Sequence, residues 1–346
     1  MEKMFKRSLL GAAVAVAAVS GSANAAIELH GQAVQLYGQA AASYQVWDPS
    51  ASGAETNAGV EVESRIGFKG VVEFDDFAPN FVWQIESGNA NNRDSGTDPW
   101  NKYHGILGGR DTYVGLQFED VGTVTFGRRT VAVYDYLDWP HTNPGLGNVF
   151  DWTNAIGAGY EDRADNVLRW DSANFGGFNY QATLSGMGSS TDAAVISLAG
   201  SYTGDNFSVH GGHYTQGEYD ETADGATTQK GDVSYSLIGG SVWFGKATFT
   251  AGYKMMSNDL ANDDQDAISV TGQYWLSDKW LTKVGYAQTF ESDLGTDNES
   301  TAITGRILYA LPSMVWYADV RNYEMLNDKE NSGSGTRFMI GTEYYF

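Results

Sequence analysis

An all-β chain closed as a 16-stranded antiparallel transmembrane β-barrel is the architecture the sequence predicts, on three observations. Apolar and polar residues alternate along almost the whole length, the connections between these stretches switch between short and long, and no apolar run after the N-terminal leader reaches the roughly 18 residues a membrane helix needs. The absence of cysteine removes disulfides and thiolate metal sites, so stability must come from closure and packing.

The first element is a leader, residues 1–25. It has a basic start (Lys3, Lys6, Arg7), an apolar stretch from Leu9 to Val19 and a small-residue exit, Ala23-Asn24-Ala25, which together read as a cleaved export signal. Its removal takes three basic residues and one acidic residue, moving the net charge from −22 to −24. Such acidity excludes nucleic acid as a partner, since phosphate backbones are repelled. It suits an outer leaflet bridged by divalent cations. Residues 26–346 read as one domain without a linker.

Strands follow from period-two alternation. Val60, Val62, Ile66 and Phe68 share one face, opposite Glu61, Glu63, Arg65 and Lys69. Phe178, Tyr180, Ala182 and Leu184 oppose Asn179, Gln181, Thr183 and Ser185, and Phe249, Ala251, Tyr253 and Met255 oppose Thr248, Thr250, Gly252 and Lys254. At the C-terminus Phe338, Ile340, Tyr344 and Phe346 form one face of an aromatic-rich strand that anchors the chain. Alternation alone does not say which face meets water.

The connections do. Seven short ones fall near Asp75 to Asn80, Asp120 to Gly122, Asn174 to Gly176, Gly204 to Asn206, Gly245-Lys246, Asp278-Lys279 and Pro312-Ser313. Eight long polar ones lie between them, near Asp48 to Gly59, Gly88 to Gly109, Thr130 to Asp162, Met187 to Ala193, Gln216 to Asp232, Asn258 to Asp266, Glu291 to Ser300 and Leu326 to Gly335. Seven turns and eight loops join sixteen strands, with both termini at the short-turn end. A barrel of that size encloses an aqueous lumen. A soluble sandwich explains the alternation but not the ordered short and long connections.

Local motifs then resemble the general diffusion porins of Gram-negative outer membranes. They are Leu36-Tyr37-Gly38 in the first strand, Ser64 to Gly70 in the second, Thr112 to Leu116 in the fourth and Gly122 to Arg128 leading to Tyr134-Asp135. Asp165 to Asp171 and Phe175 to Phe178 complete the set. The resemblance spans the mature chain. It implies a homotrimer in the outer membrane, in contact with lipid and lipopolysaccharide, handed to the barrel-assembly machinery through its C-terminal strand. Ions and small hydrophilic solutes would pass by passive diffusion, with no cofactor, no resident metal and no enzymatic step.

The resemblance also implies that the longest loop, about 130–162, folds inward to constrict the pore. Its Tyr134, Tyr136, Trp139, Phe150 and Trp152 are more aromatics than a solvated loop carries, although an outward loop packed on its neighbours is the alternative. In the family an acidic loop faces wall arginines. Arg65 and Arg110 match those arginines by motif and Arg163 is the third candidate, while Asp135, Asp138 and Asp151 are the loop's candidate carboxylates, each equally able to cap a turn. Parity places Arg65 inward. Arg110 has the parity of Val114 and Leu116, so a bulge or strand end must redirect it. The loop tip, Pro144-Gly145-Leu146-Gly147-Asn148, lacks the carboxylate common in the family. Glu61, Glu63, Lys69, Arg169, Arg306 and Arg321 are expected to line the lumen.

Other readings remain open. Tyr317 and Tyr323, sharing parity with Asp319 and Arg321, suit a sugar-selective porin as an aromatic track, or else belong to the interfacial girdle. A barrel hydrolase needs a nucleophile or paired acids with a histidine, which the sequence does not assemble, and an adhesin would carry a blocked barrel. Gly240 to Ala247 misses a phosphate-binding loop because Ala247 replaces the needed Ser or Thr. His210 and His213 fall on opposite faces and read as ordinary strand residues. Asn262 to Asp266 reads as a solvated turn.

Overall fold

The computed structural model describes residues 26–90, 107–188, 190–223, 226–325 and 333–346. The expected leader, 1–25, lies outside them. The main sheet holds eighteen strands, of which Asn57–Val62 and Arg65–Phe74 are halves of one wall strand and Ile27–His30 is a short N-terminal addition, leaving sixteen in the wall. In chain order these are β1 (Val34–Pro49), β2 (Asn57–Val62 with Arg65–Phe74), β3 (Phe77–Glu86), β4 (Thr112–Phe118), β5 (Gly122–Thr130), β6 (Arg163–Ser172), β7 (Phe178–Ser185) and β8 (Val195–Thr203). They continue as β9 (Phe207–Gln216), β10 (Val233–Phe244), β11 (Ala247–Asn258), β12 (Asp263–Trp275), β13 (Trp280–Thr289), β14 (Ser300–Leu311), β15 (Met314–Met325) and β16 (Gly335–Tyr345).

Neighbours in the chain pair antiparallel, and β16 closes the ring on β1 from Tyr345↔Gln39 to Gly335↔Pro49. Closure matters because an open edge in hydrocarbon would leave unpaired N–H and C=O groups, each costing several kcal/mol. Where β2 breaks, Ser64 repairs the ladder: its Oγ accepts from Ala41 N at 3.0 Å and donates to Ala41 O at 3.2 Å.

The apolar face is the outer one. Ile238, Val284, Phe249, Phe126 and Ile303 are each more than half exposed, while Thr183, Ser185, Thr250 and Lys254, on the opposite parity, are buried. A soluble sheet reverses that assignment. An outer surface of this kind is stable only against lipid.

The seven turns occur where expected. The tightest, Gly245-Lys246 and Pro312-Ser313, place Gly245 at φ 56° and Ser313 at φ 57°, the backbone a two-residue hairpin demands. Of the long connections, Gly88 to Gly109 and Leu326 to Gly335 lie largely outside the described residues, and two others need correction. Asn258 to Asp266 is only Asp259 to Asn262, because β11 and β12 stay paired up to Asn258↔Asp263. The Gln216 to Asp232 connection carries its own hairpin, Tyr219–Ala223 with Ala226–Lys230.

Candidate channel constriction

Residues 131–162, after β5, fold into the barrel and include two short helices, Tyr134–Asp138 and Gly147–Phe150. Backbone taken out of water needs partners, and the wall supplies them as side chains. Thr183 Oγ1 accepts from Ala132 N at 3.1 Å and Ser197 Oγ from Val133 N at 2.9 Å. Ser269 Oγ donates to His141 O at 2.7 Å, and the Tyr323 hydroxyl donates to Gly145 O at 2.8 Å. On the return leg Gln265 Oε1 accepts from Ala155 N and Asn258 Nδ2 donates to Ile156 O, both at 2.7 Å.

Beneath these bonds lies the barrel's main apolar core. Val131, Val133, Leu137, Leu146, Val149 and Phe150 of the loop pack on Val195, Tyr214, Tyr235, Leu237 and Met256 of the wall. Within it Lys254 donates to Asp151 O at 2.9 Å, its ammonium lying 5.0 Å from the Tyr235 ring centre and 5.3 Å from that of Tyr160. The loop therefore docks on the inner face chiefly from β6 to β15, and the arginines Arg65 and Arg110 lie outside that contact.

On the wall Arg65, Arg110 and Arg163 come together. Arg65 Nη2 donates to Gln39 Oε1 at 2.8 Å, Arg110 Nε meets Glu86 Oε1 at 2.5 Å, and Arg163 Nε meets Asp111 Oδ1 at 2.7 Å. Arg110 escapes its parity by preceding β4, and its N–H reaches Glu86 O at 3.3 Å. Burial, with Arg65 and Arg163 alongside, pushes its guanidinium down to about 10. Burial opposes ionisation of Asp111 too, but Arg163 and Arg129 outweigh it and hold the carboxyl below its usual range. A register shift between Gly127 and Arg129 lets two consecutive arginines both find carboxylates: Arg128 meets Asp165 at 3.0 Å, and Arg129 meets Asp111 at 3.4 Å and Asp171 at 3.8 Å.

The three loop carboxylates separate. Asp135 accepts from Arg169 Nη2 at 2.6 Å; that arginine also reaches Asp171 at 2.6 Å and Thr130 O at 3.0 Å and is 2% exposed, so it ties down the loop base more than it lines the passage. Asp138 is exposed and accepts the Thr142 hydroxyl at 2.8 Å. Asp151 is buried, and burial with Asp162 nearby raises its carboxyl well above the usual range. Burial pushes Asp162 itself up to about 6.

Glu61 accepts from Gln45, Lys69 lies 5.1 Å over the Tyr37 ring on the inner face, and Glu63 sits at the break in β2. Arg306 and Arg321 both grip Asp319 at 2.6 Å. Neither expectation for Tyr317 and Tyr323 holds. Both point inward and are buried, Tyr317 under the Arg306 guanidinium at 4.3 Å and Tyr323 under the loop tip, so they form neither a solute track nor a girdle. The tip itself is seated on the far wall, Gly145 against Arg321 and Leu146 against Gly285. His210 is no ordinary strand residue: it points inward to His141 of the loop, Nε2 to Nε2 at 2.7 Å, while His213 takes the other face and bonds Ser236. Phe338, Ile340 and Tyr344 project outward, and Phe346 exchanges backbone bonds with Gly38.

Sequence reasoning missed Lys254, Lys283, His141 and Asp319. Polar parity marked Lys254 and Asp319 as inward, but nothing local signalled that a distant loop would pack beside them.

A model described as Gram-negative porin matches residues 12–328. The chitoporin of Vibrio furnissii is 31% identical over 377 aligned residues, covering 100% of both chains. Outer membrane porin F of Escherichia coli K12 is 28% identical over 178 residues, half of this chain and 46% of that protein. Among solved structures the anion-selective porin from Comamonas acidovorans superposes with a TM-score of 0.71 at 19% identity, covering 91% of this chain and 99% of that one. OmpF of Salmonella typhi superposes at 0.68 with 18% identity, covering 93% and 100%. At these identities the two structures speak for the fold alone.

Proposed function

Because the chain belongs to the Gram-negative porin family, we propose that its passage is narrowed between the inward loop and the wall arginines Arg65, Arg110 and Arg163. It is an outer-membrane channel for passive diffusion and not an enzyme. The observation that supports this constriction is the one-sided docking of residues 131–162, which leaves Arg65 and Arg110 facing the open part of the lumen. Of the three loop carboxylates only Asp138 is exposed, so on this reading it is the loop's contribution to a field whose wall side holds the three arginines with their partners Glu86 and Asp111. The functional unit is a homotrimer by analogy with the family, and the outward C-terminal face Phe338, Ile340, Tyr344 and Phe346 serves membrane anchoring and assembly.

The test is single-channel current in a salt gradient. Stepwise openings, in threes for a trimer, support the reading, and properly inserted protein without current defeats it.

A second reading has its own support. The full-length relative at 31% identity is a chitoporin, and Trp152 stands 54% exposed on the inward loop, a flat apolar face suited to a sugar ring. On this reading chitin oligosaccharides are a preferred solute. Saturable current block by such an oligosaccharide, weakened in Trp152→Ala, supports it; block that is linear in concentration and unchanged by the substitution removes it.

A further inference from the structure

Away from the Arg65 group, the inner wall carries a second set of cations, laid out by sheet register. Lys283 on β13 lies directly opposite Arg306 on β14, and Arg306 directly opposite Asp319 on β15. Arg321 is two residues along β15 from Asp319. Like charges directly opposite on neighbouring strands repel, so the Lys283 and Arg306 pair needs an anion to make it favourable.

Asp319 supplies one negative charge and is fully used. Its Oδ1 takes Arg306 Nε at 2.6 Å, and its Oδ2 takes Arg306 Nη2 at 2.7 Å and Arg321 Nη2 at 2.6 Å. Its side chain is 0% exposed. Glu343 and Glu63, other carboxylates of the neighbouring wall strands, make no ion pair with Lys283, Arg306 or Arg321. Among the groups in direct contact three cations thus share one carboxylate, an excess of two positive charges, with Glu63 acting on Arg321 only from a distance.

Lys283 stands out among them. It is only 6% exposed, and its ammonium lies 5.2 Å from the centre of the Trp139 ring, which belongs to the inward loop. Among the described residues none accepts a hydrogen bond from its Nζ. An ammonium has three donors and no acceptor capacity, and a desolvated one without a counter-charge is unfavourable. Arg306 Nη1 is similarly underused, with Asn143 Oδ1 of the loop 3.5 Å away.

We propose that Lys283, Arg306 and Arg321, under the loop segment carrying Trp139 and Asn143, form a binding site for the phosphoryl group of a small permeating solute. The charge excess of two matches a phosphate monoester, which carries about −1.5 to −2 at neutral pH, better than a single carboxylate. Arginine and lysine donors from three adjoining strands surround one oxyanion, with Asp319 fixing the arginine planes. Trp139 forms the roof over the ammonium, leaving the remainder of such a solute beside an aromatic edge.

The site rests on the channel reading, and one experiment separates the two. Purified full-length protein is inserted in planar bilayers, and current in potassium chloride is recorded while inorganic phosphate or acetate is added at constant ionic strength. The expected result is a saturable fall in current with phosphate and none with acetate. Lys283→Met should raise the half-effect concentration at least tenfold, and Lys283→Arg should retain it. An equal response in wild type and Lys283→Met would overturn the site and assign the effect to other cations. Stepwise currents without any saturable phosphate effect would overturn it while leaving the channel intact. No current at all would sink the channel reading and the site with it. Glucose 6-phosphate set against glucose on the wild-type channel supplies the same decision should Lys283→Met fail to insert.

Discussion

His141 Nε2 of the inward loop lies 2.7 Å from His210 Nε2 of the wall, in a buried pair on which the Tyr136 ring stacks. A contact this short between two ring nitrogens exists only when one carries the proton and the other accepts it, so two imidazolium rings cannot share it. Burial first, then His210 and Lys283, pushes His141 down to about 3. A released His141 would titrate near 6.5. Between those values the docked loop binds fewer protons than the released one. Docking therefore has its full histidine contribution above about pH 6.5 and loses it as pH falls through about 3, each unit of depression being worth about 1.4 kcal/mol. Asp162 acts with the opposite sign. Raised to about 6, its contribution is full below about 3.8 and is lost as pH rises through about 6. Between about pH 3.8 and 6 the two contributions change in opposite directions and largely cancel, so docking is expected to weaken below about pH 3.8, where only the histidine contribution is still changing, and gating transitions in single-channel records should increase below about pH 4. A gating frequency that stays flat from pH 7 to pH 3 would count against the histidine latch.

The same ring depends on two glycines. A Cβ on Gly239 would sit 2.5 Å from His141 Nε2, and one on Gly252 would sit 2.7 Å from ring atoms of the same side chain. Gly252→Ala is expected to push His141 off the wall at a cost of about 1–3 kcal/mol, loosening the loop without breaking the barrel. The readout is a noisier, larger conductance with unchanged heat resistance of the folded form; a channel indistinguishable from wild type would show that the ring has room to move.

Arg169 is the tether at the loop base. It is 2% exposed and bound to Asp135, Asp171 and Thr130, so Arg169→Met leaves Asp135 without its cation and Asp171 with only the longer Arg129 contact at 3.8 Å. Breaking a buried pair in this way costs about 3–5 kcal/mol. Thermal unfolding in detergent should show that loss, and Asp135→Asn, which removes only one of the two acids, should lose less. Equal losses would mean that the contact with Asp135 carries the whole effect, and no loss in Asp135→Asn would mean that the arginine acts through Thr130 and Asp171.

Arg110 offers a test of charge rather than stability. Substituting Gln relieves the crowding by Arg65 and Arg163 but takes the cation from the buried Glu86, so some stability should be lost while the barrel still forms. The reversal potential in a tenfold salt gradient should move toward cation preference, and the shift should shrink in high salt as screening shortens to about 3 Å at 1 M. An unmoved potential would place the ion path away from this wall.

Much of this was legible because a barrel strand is a two-state pattern. Parity sorted Phe249 from Thr250 and Ile340 from Met339 without any knowledge of partners, and turn chemistry located Gly245-Lys246 and Pro312-Ser313 to the residue. Parity failed where the ladder slips or ends, as at Gly127 to Arg129 and at Arg110. It also failed to distinguish inward-and-wet from inward-and-covered. Arg169 was expected to meet the lumen, and Tyr317 and Tyr323 either the lumen or the interfacial girdle, yet all three are buried. Their burial is decided by contacts with distant parts of the chain, in Tyr323's case Gly145, 178 residues away. No periodicity within one strand carries that information.

The off-centre loop divides the inner surface into two regimes of tolerance to change. From β6 to β15 an inward side chain is constrained by volume, since an added methyl group or a lost hydroxyl disturbs how residues 131–162 seat. On β16 and β1 to β5, and at the Lys283, Arg306 and Arg321 group beside the loop, it is constrained by charge, since those side chains act on the moving solute. Sequence drift in the second region can retune what passes while the first keeps the aperture in place, so permeability and architecture are able to diverge at separate rates within one ring of strands.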